Sequence, residues 1–140
     1  MTSRRLQQMG AAILALAGSA ASGQTTAPEE SAVAVPSGME VRLYETLTDD
    51  FGGGPILRFR FLAPMIGSTM AHDPDALVTD MQFLCQDYAM SHLGSDAAPP
   101  AQIVISLMEA PVEFGQPRPD VRQIFEAFSL RDDTCIWEAF

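Results

Sequence analysis

Only one stretch of this 140-residue chain has helical periodicity, and strand-like runs lie on both sides of it. Asp73 is a suitable N-cap, Pro74 takes the first helical position and Asp75 adds an acid to the first turn. Leu77, Met81, Leu84, Cys85 and Tyr88 then fall on one helical face. His92 suits the last turn, Gly94 is a stop, and Ala97-Ala-Pro-Pro100 prevents continuation. A lone amphipathic helix has no second helix to bury its apolar stripe. It must pack on a sheet built by the rest of the chain.

The flanking runs supply that sheet. From Glu40 to Leu47 the chain alternates, with Val41, Leu43 and Glu45 on one side and Arg42, Tyr44 and Thr46 on the other. Ile56 to Leu62 alternates again, with Leu57, Phe59 and Phe61 opposite Arg58 and Arg60. The Gly-rich turn cluster Thr48 to Pro55 joins the two runs into a β-hairpin. Gln102 to Met108 is a strand rich in β-branched residues. Pro111 to Asp120 carries three prolines and reads as loop or edge. Arg122 to Leu130 is a strand, Arg131-Asp-Asp-Thr134 a tight turn, and Cys135 to Phe140 a closing strand. The order ββαβββ predicts an α+β domain over residues 39–140: an antiparallel sheet with one helix packed on one face.

Ahead of this domain the sequence predicts a signal peptide, residues 1–23, and a disordered linker, residues 24–38. Arg4 and Arg5 form a basic n-region, Met9 to Ala17 a short apolar run, and Gly18 to Gly23 a small-residue exit. The run is well short of the ~20 residues that span a membrane. Ser19 stands where a lipidated Cys would be, so no membrane anchor is expected after cleavage. The linker is Ala, Pro, Ser, Thr and Glu, broken only by the apolar Ala32-Val-Ala-Val35. The expected location is the periplasm or the exterior.

Charge narrows the partners. All eight basic residues are Arg; six remain after cleavage against eighteen acids, a net charge near −12. Bulk attraction to nucleic acid or anionic lipid is excluded.

The chain has two cysteines, Cys85 and Cys135. An even count in an exported chain favours a disulfide. Cys85 lies on the apolar helix face, and Cys135 shares a strand face with Trp137. A redox pair is the rival reading, but no Cys-x-x-Cys is present to lower a thiol pKa.

No catalytic, cofactor or metal site is expected. His72 and His92 sit at opposite ends of the helix, too far apart to share a metal. Asp49-Asp-Phe-Gly-Gly-Gly54 lacks the ligand pattern of a calcium loop and the Lys of a phosphate loop. Ser68 near His72 has no nucleophile elbow, and Ser91 is expected to face away from His92. Paired carboxylates for hydrolysis stay open as an alternative in so acidic a chain.

Two surfaces are candidate binding sites. Arg42, Arg58 and Arg60, half of the arginines after cleavage, fall with Tyr44 on the outer face of the hairpin. A sheet covered by one helix leaves that face open, to dock a carboxylate-bearing partner or to pair with Glu40, Glu126 or Glu138. On the helix, Phe83 and Met90 lie away from the main apolar stripe, as a partner strip or under the Ala32–Val35 arm.

Met39-Glu-Val-Arg-Leu-Tyr-Glu45, Leu57-Arg-Phe-Arg-Phe-Leu-Ala-Pro64, Asp80-Met-Gln-Phe-Leu-Cys-Gln-Asp-Tyr-Ala89 and Thr134-Cys-Ile-Trp-Glu-Ala-Phe140 carry a resemblance. Together with the signal segment they look like a family of small exported Gram-negative proteins, a domain of unknown function. Some of its members bear an automatic acetolactate synthase label, which this chain does not support: it is short and has no thiamine-diphosphate-binding segment. The resemblance implies a compartment and a body plan, with no catalytic residues. The functional expectation is a non-catalytic binding or assembly domain with an envelope protein as partner. Rival expectations are a small hydrolase and an accessory subunit of an envelope enzyme.

Overall fold

The computed structural model describes residues 32–68, 73–95 and 98–139. The signal segment, the linker up to Ser31, and His72 lie outside these residues. Six strands form one sheet in chain order: β1 (Ala32–Ala34), β2 (Glu40–Asp50), β3 (Pro55–Leu62), β4 (Gln102–Met108), β5 (Gln123–Arg131) and β6 (Thr134–Glu138). The α+β class holds, with a single helical layer on one face. Among the described residues no helix is long and apolar enough to cross a membrane.

One pairing departs from the antiparallel expectation. β3 and β4 are neighbours and run parallel, from Ile56 opposite Gln102 to Leu62 opposite Met108. The helix lies between them in sequence, and a chain that crosses over by a helix re-enters the sheet in the same direction. The hairpins β2–β3, β4–β5 and β5–β6 are antiparallel.

The helix starts as read. Asp73 caps it, its side chain accepting from the Asp75 amide at 3.0 Å, and α1 runs Pro74–Phe83. It then widens into a π turn, Leu84–Ala89, and tightens into a 3-10 turn, Met90–His92. The widened turn keeps Leu84, Cys85 and Ala89 together on the buried side. With Leu77 and Met81 they pack on Val41, Phe59, Phe61, Ile103, Ile105, Leu107 and Phe128. Tyr88 meets the rings of Phe61 and Phe59 edge-on, at 5.3 and 6.4 Å. Each fully buried ring in this layer stabilises the fold by roughly 2–3 kcal/mol.

The linker expectation is corrected for residues 32–38, which belong to the domain. β1 pairs with Glu40–Arg42 of β2. Val35 and Met39 are buried, and the Gly38 amide closes a turn on the Val35 carbonyl at 2.9 Å, with Gly38 at φ +79°. Asp80, fully buried on α1, anchors this turn: it accepts from the Ser37 amide at 2.9 Å and from the Ser37 hydroxyl. Alternating valines and one buried acid hold a segment that composition alone marks as linker.

Cys85 and Cys135 form a disulfide, with Cα atoms 6.2 Å apart. Beside it two helix glutamines serve the β6 backbone. Gln82 Nε2 donates to the Cys135 carbonyl at 2.8 Å, and the Cys135 amide donates to Gln86 Oε1 at 2.9 Å. They occupy part of an edge that would otherwise be a template for strand addition.

Candidate binding site on the outer sheet face

The outer face is not open. The segment from Glu109 to Arg122 folds across it and places Val112, 2% exposed, over the sheet. Val104, Met108 and Ala127 are buried beneath this cover, apart from the helix-side core. Two ties close the base of the segment: the Glu109 amide donates to the Arg122 carbonyl at 3.0 Å, and Glu109 Oε2 accepts from the Arg122 amide at 3.0 Å. Near its end, Arg118 Nε and Nη2 grip Asp120 at 3.0 and 2.9 Å and pull that carboxyl below its ordinary pKa.

A β-bulge sorts the charges of the hairpin. The register of β2 on β3 shifts between Leu43 and Glu45. Glu45 therefore stands opposite Arg60, on the outer face, rather than beside Val41 and Leu43. An extra residue in one strand reverses the alternation beyond it, and nothing in the 40–47 pattern marks the place.

This bulge changes the standing of each arginine. Arg60, 3% exposed, pairs with Glu45 and donates to the Val112 carbonyl at 2.7 Å and to Met108 Sδ at 2.9 Å. Its guanidinium also lies 5.5 Å from the Phe114 ring and 5.8 Å from that of Tyr44. Arg60 is thus a structural cation, and its expected place on an open docking face is corrected. Arg42 is exposed and bonded to Glu40 at 2.9 Å, the local pairing that was the rival reading.

Arg58 is different. Its Nε is buried and has no hydrogen-bond partner among the described residues. Phe114 covers the guanidinium, 5.1 Å from the ring centroid. Burial pushes its pKa below the ordinary arginine value; Asp49 opposes that shift and Arg60 adds to it. Beside it lies a cleft of about 280 Å³. Ser106 presents there a hydroxyl with no hydrogen bond among the described residues, and Gln116 and Gln123 add amides. Phe114 and Phe125 form apolar walls, Phe125 being 64% exposed. The arrangement offers several donors, one of them a cation short of an acceptor.

Sequence reading finds Arg58 and misses the rest of the cleft. Ser106 had a signal: it interrupts the apolar run Ile103-Val-Ile-Ser-Leu-Met108. Phe114 had a weaker one, an aromatic within a proline-rich loop.

The helix strip separates into two places. Phe83 is half-buried beside Ala32, Val33 and Ala34, so the arm does lie along it. Met90 lines a different cavity, of about 760 Å³, on the helix side of the sheet. Ser91 does not face away from His92: the hydroxyl lies 3.1 Å from Nδ1. Both groups donate to the Tyr88 carbonyl, at 2.7 Å each, so they cap the helix end and the hydroxyl proton is engaged. Among the described residues no three His, Cys, Asp or Glu side chains converge as a metal site.

No curated protein and no solved structure matches the chain. A family model covers the whole of the domain and reaches back into the apolar N-terminal segment. The chain belongs to the family of unknown function DUF6497, whose model matches residues 13–140.

Proposed function

We propose that the protein is a non-catalytic binding or assembly domain of the periplasm that engages a carboxylate-bearing segment of an envelope protein at the Arg58 cleft. One observation carries this reading: among the described residues, Arg58 Nε is buried without an acceptor beside a cleft of unengaged donors. A carboxylate would accept from the guanidinium and from Ser106, and charge-assisted bonds of this kind are about twice as strong as neutral ones. Phe114 and Phe125 would cover its aliphatic neighbours, since aromatic residues and Arg are the favoured contacts of protein interfaces. A volume of about 280 Å³ suits one side chain or a chain terminus. It is small against the ~300–1,000 Å³ of pockets for free small molecules.

Binding is favoured over hydrolysis because the buried acid Asp80 is already engaged by Ser37. The compartment is supported by the Cys85–Cys135 bridge and by the basic and apolar pattern of residues 1–23.

The test uses Arg58→Glu alone, because reversing Arg60 would break a buried pair. Partners that co-purify with the wild-type protein from periplasm and membranes should be lost from the variant by at least about tenfold, or ~1.4 kcal/mol. Its disulfide and melting temperature should be retained. A folded Arg58→Glu protein that recovers the same partners in the same yield overturns the proposal.

A further inference from the structure

The 760 Å³ cavity lies on the opposite side of the sheet, where the helix stops short. The helix ends at His92, which lines the cavity together with Thr46 of β2 and Leu57 of β3. Leu43, Leu57, Phe59, Met90, Leu93 and Leu130 line the space, and all but Phe59 are only half-buried. This is apolar surface that the fold leaves partly uncovered, in a volume typical of small-molecule sites.

The rim has a definite chemistry. An acid, Asp133, and two hydroxyl residues, Thr46 and Ser95, are among its lining residues. His92 holds its Nδ1 proton on the Tyr88 carbonyl, stacked on the Tyr88 ring at 4.0 Å. That contact leaves Nε2 as the ring nitrogen available to a ligand. Among the described residues no arginine lines the cavity. The hydroxyls can donate or accept, and the acid is the one charge of fixed sign among the described lining residues, so the rim offers acceptors and disfavours an anionic head.

We infer that this cavity binds a small amphiphile with an elongated apolar body and a non-anionic, hydrogen-bond-donating head, an alcohol or an amine. The site is independent of the Arg58 cleft: it lies on the other face and has the opposite charge preference.

The experiment follows the fluorescence of 1-aminoanthracene with the oxidised protein, and displaces it with dodecanol, dodecylamine and laurate below their aggregation limits. The alcohol and the amine should displace the probe, with laurate weaker by at least about tenfold. Thr46→Trp, at an exposed strand position that tolerates an aromatic, should fill the mouth and weaken probe binding by about tenfold or more. Met90→Trp should do the same from the helix side. Asp133 has φ +58°, which Asn also tolerates, so Asp133→Asn should preserve the turn and bring laurate closer to the alcohol. Arg58→Glu should leave probe binding unchanged. Equal displacement by laurate overturns the head-group assignment. Unaltered binding in both folded tryptophan variants, or no uptake by folded wild-type protein, overturns the site.

Discussion

Arg58 and Arg60 are two residues apart on one strand face, and their surroundings give them opposite roles. Arg60 is buried with a carboxylate, a carbonyl and a thioether around it. Removing it strands Glu45 and the Val112 carbonyl beneath the loop. Arg60→Met should therefore cost about 2–3 kcal/mol, less than the loss of a deeply buried pair because Glu45 is one-third exposed. Arg58 has a buried Nε with no acceptor among the described residues, and Asp49 only partly opposes the effect of its burial. Arg58→Met should leave stability unchanged or raise it by up to about 1 kcal/mol, the usual penalty of an unsatisfied group discounted for partial exposure. Urea unfolding of the two variants measures the contrast. A loss of several kcal/mol in Arg58→Met would mean that the guanidinium is structural after all.

At the scale of elements, the fold depends on short segments that brace longer ones. β1 covers only Glu40–Arg42 of the much longer β2, and three residues of edge strand are a weak element by themselves. Asp80 makes the difference, fixing the turn that follows β1 through two bonds from Ser37. Asp80→Ala should lower stability by about 2–3 kcal/mol, since the Ser37 amide and hydroxyl both lose their acceptor. It should also expose the chain near Val35 to limited proteolysis while the sheet from β2 to β6 persists. If cleavage near Val35 is no faster in Asp80→Ala than in wild type, Asp80 is not the anchor. The segment between β4 and β5 braces in the same way: Glu109 and Arg122 close its base, and Val112 and Phe114 make it a cover rather than a free loop.

At the scale of the whole molecule, one helical layer holds the six strands of the described residues. The Cys85–Cys135 bridge ties the π turn to the last strand, closing a loop of 50 residues in sequence separation. In the chain-entropy model such a bridge contributes on the order of 3–4 kcal/mol. Reduction under native conditions, or Cys85→Ala with Cys135→Ala, should lower the melting temperature accordingly, and non-reducing peptide mass analysis should show the pair joined. An unchanged melting temperature on full reduction would mean that helix and sheet hold each other without it. The helix covers one part of the sheet and leaves the other as a cavity, so stability and vacancy come from the same short helix.

Local chemistry is what the sequence by itself determined. Strand alternation, the Asp73 cap, the tight turn at Asp132 and Asp133 and the pairing of Cys85 with Cys135 were all legible, because each depends on neighbours within a few residues or on a single partner of its own kind. The tertiary structure alone decided the rest. The bulge between Leu43 and Glu45 is a property of two strands in register, invisible in either one. The parallel join of β3 to β4 follows from where the crossover re-enters the sheet. The burial of Arg60, the lone Nε of Arg58 and the cover over both depend on a proline-rich segment whose own pattern says only that it is neither helix nor inner strand. That Arg60 is tied into the domain is set by contacts about fifty residues apart in the chain. Periodicity within a strand carries no record of them.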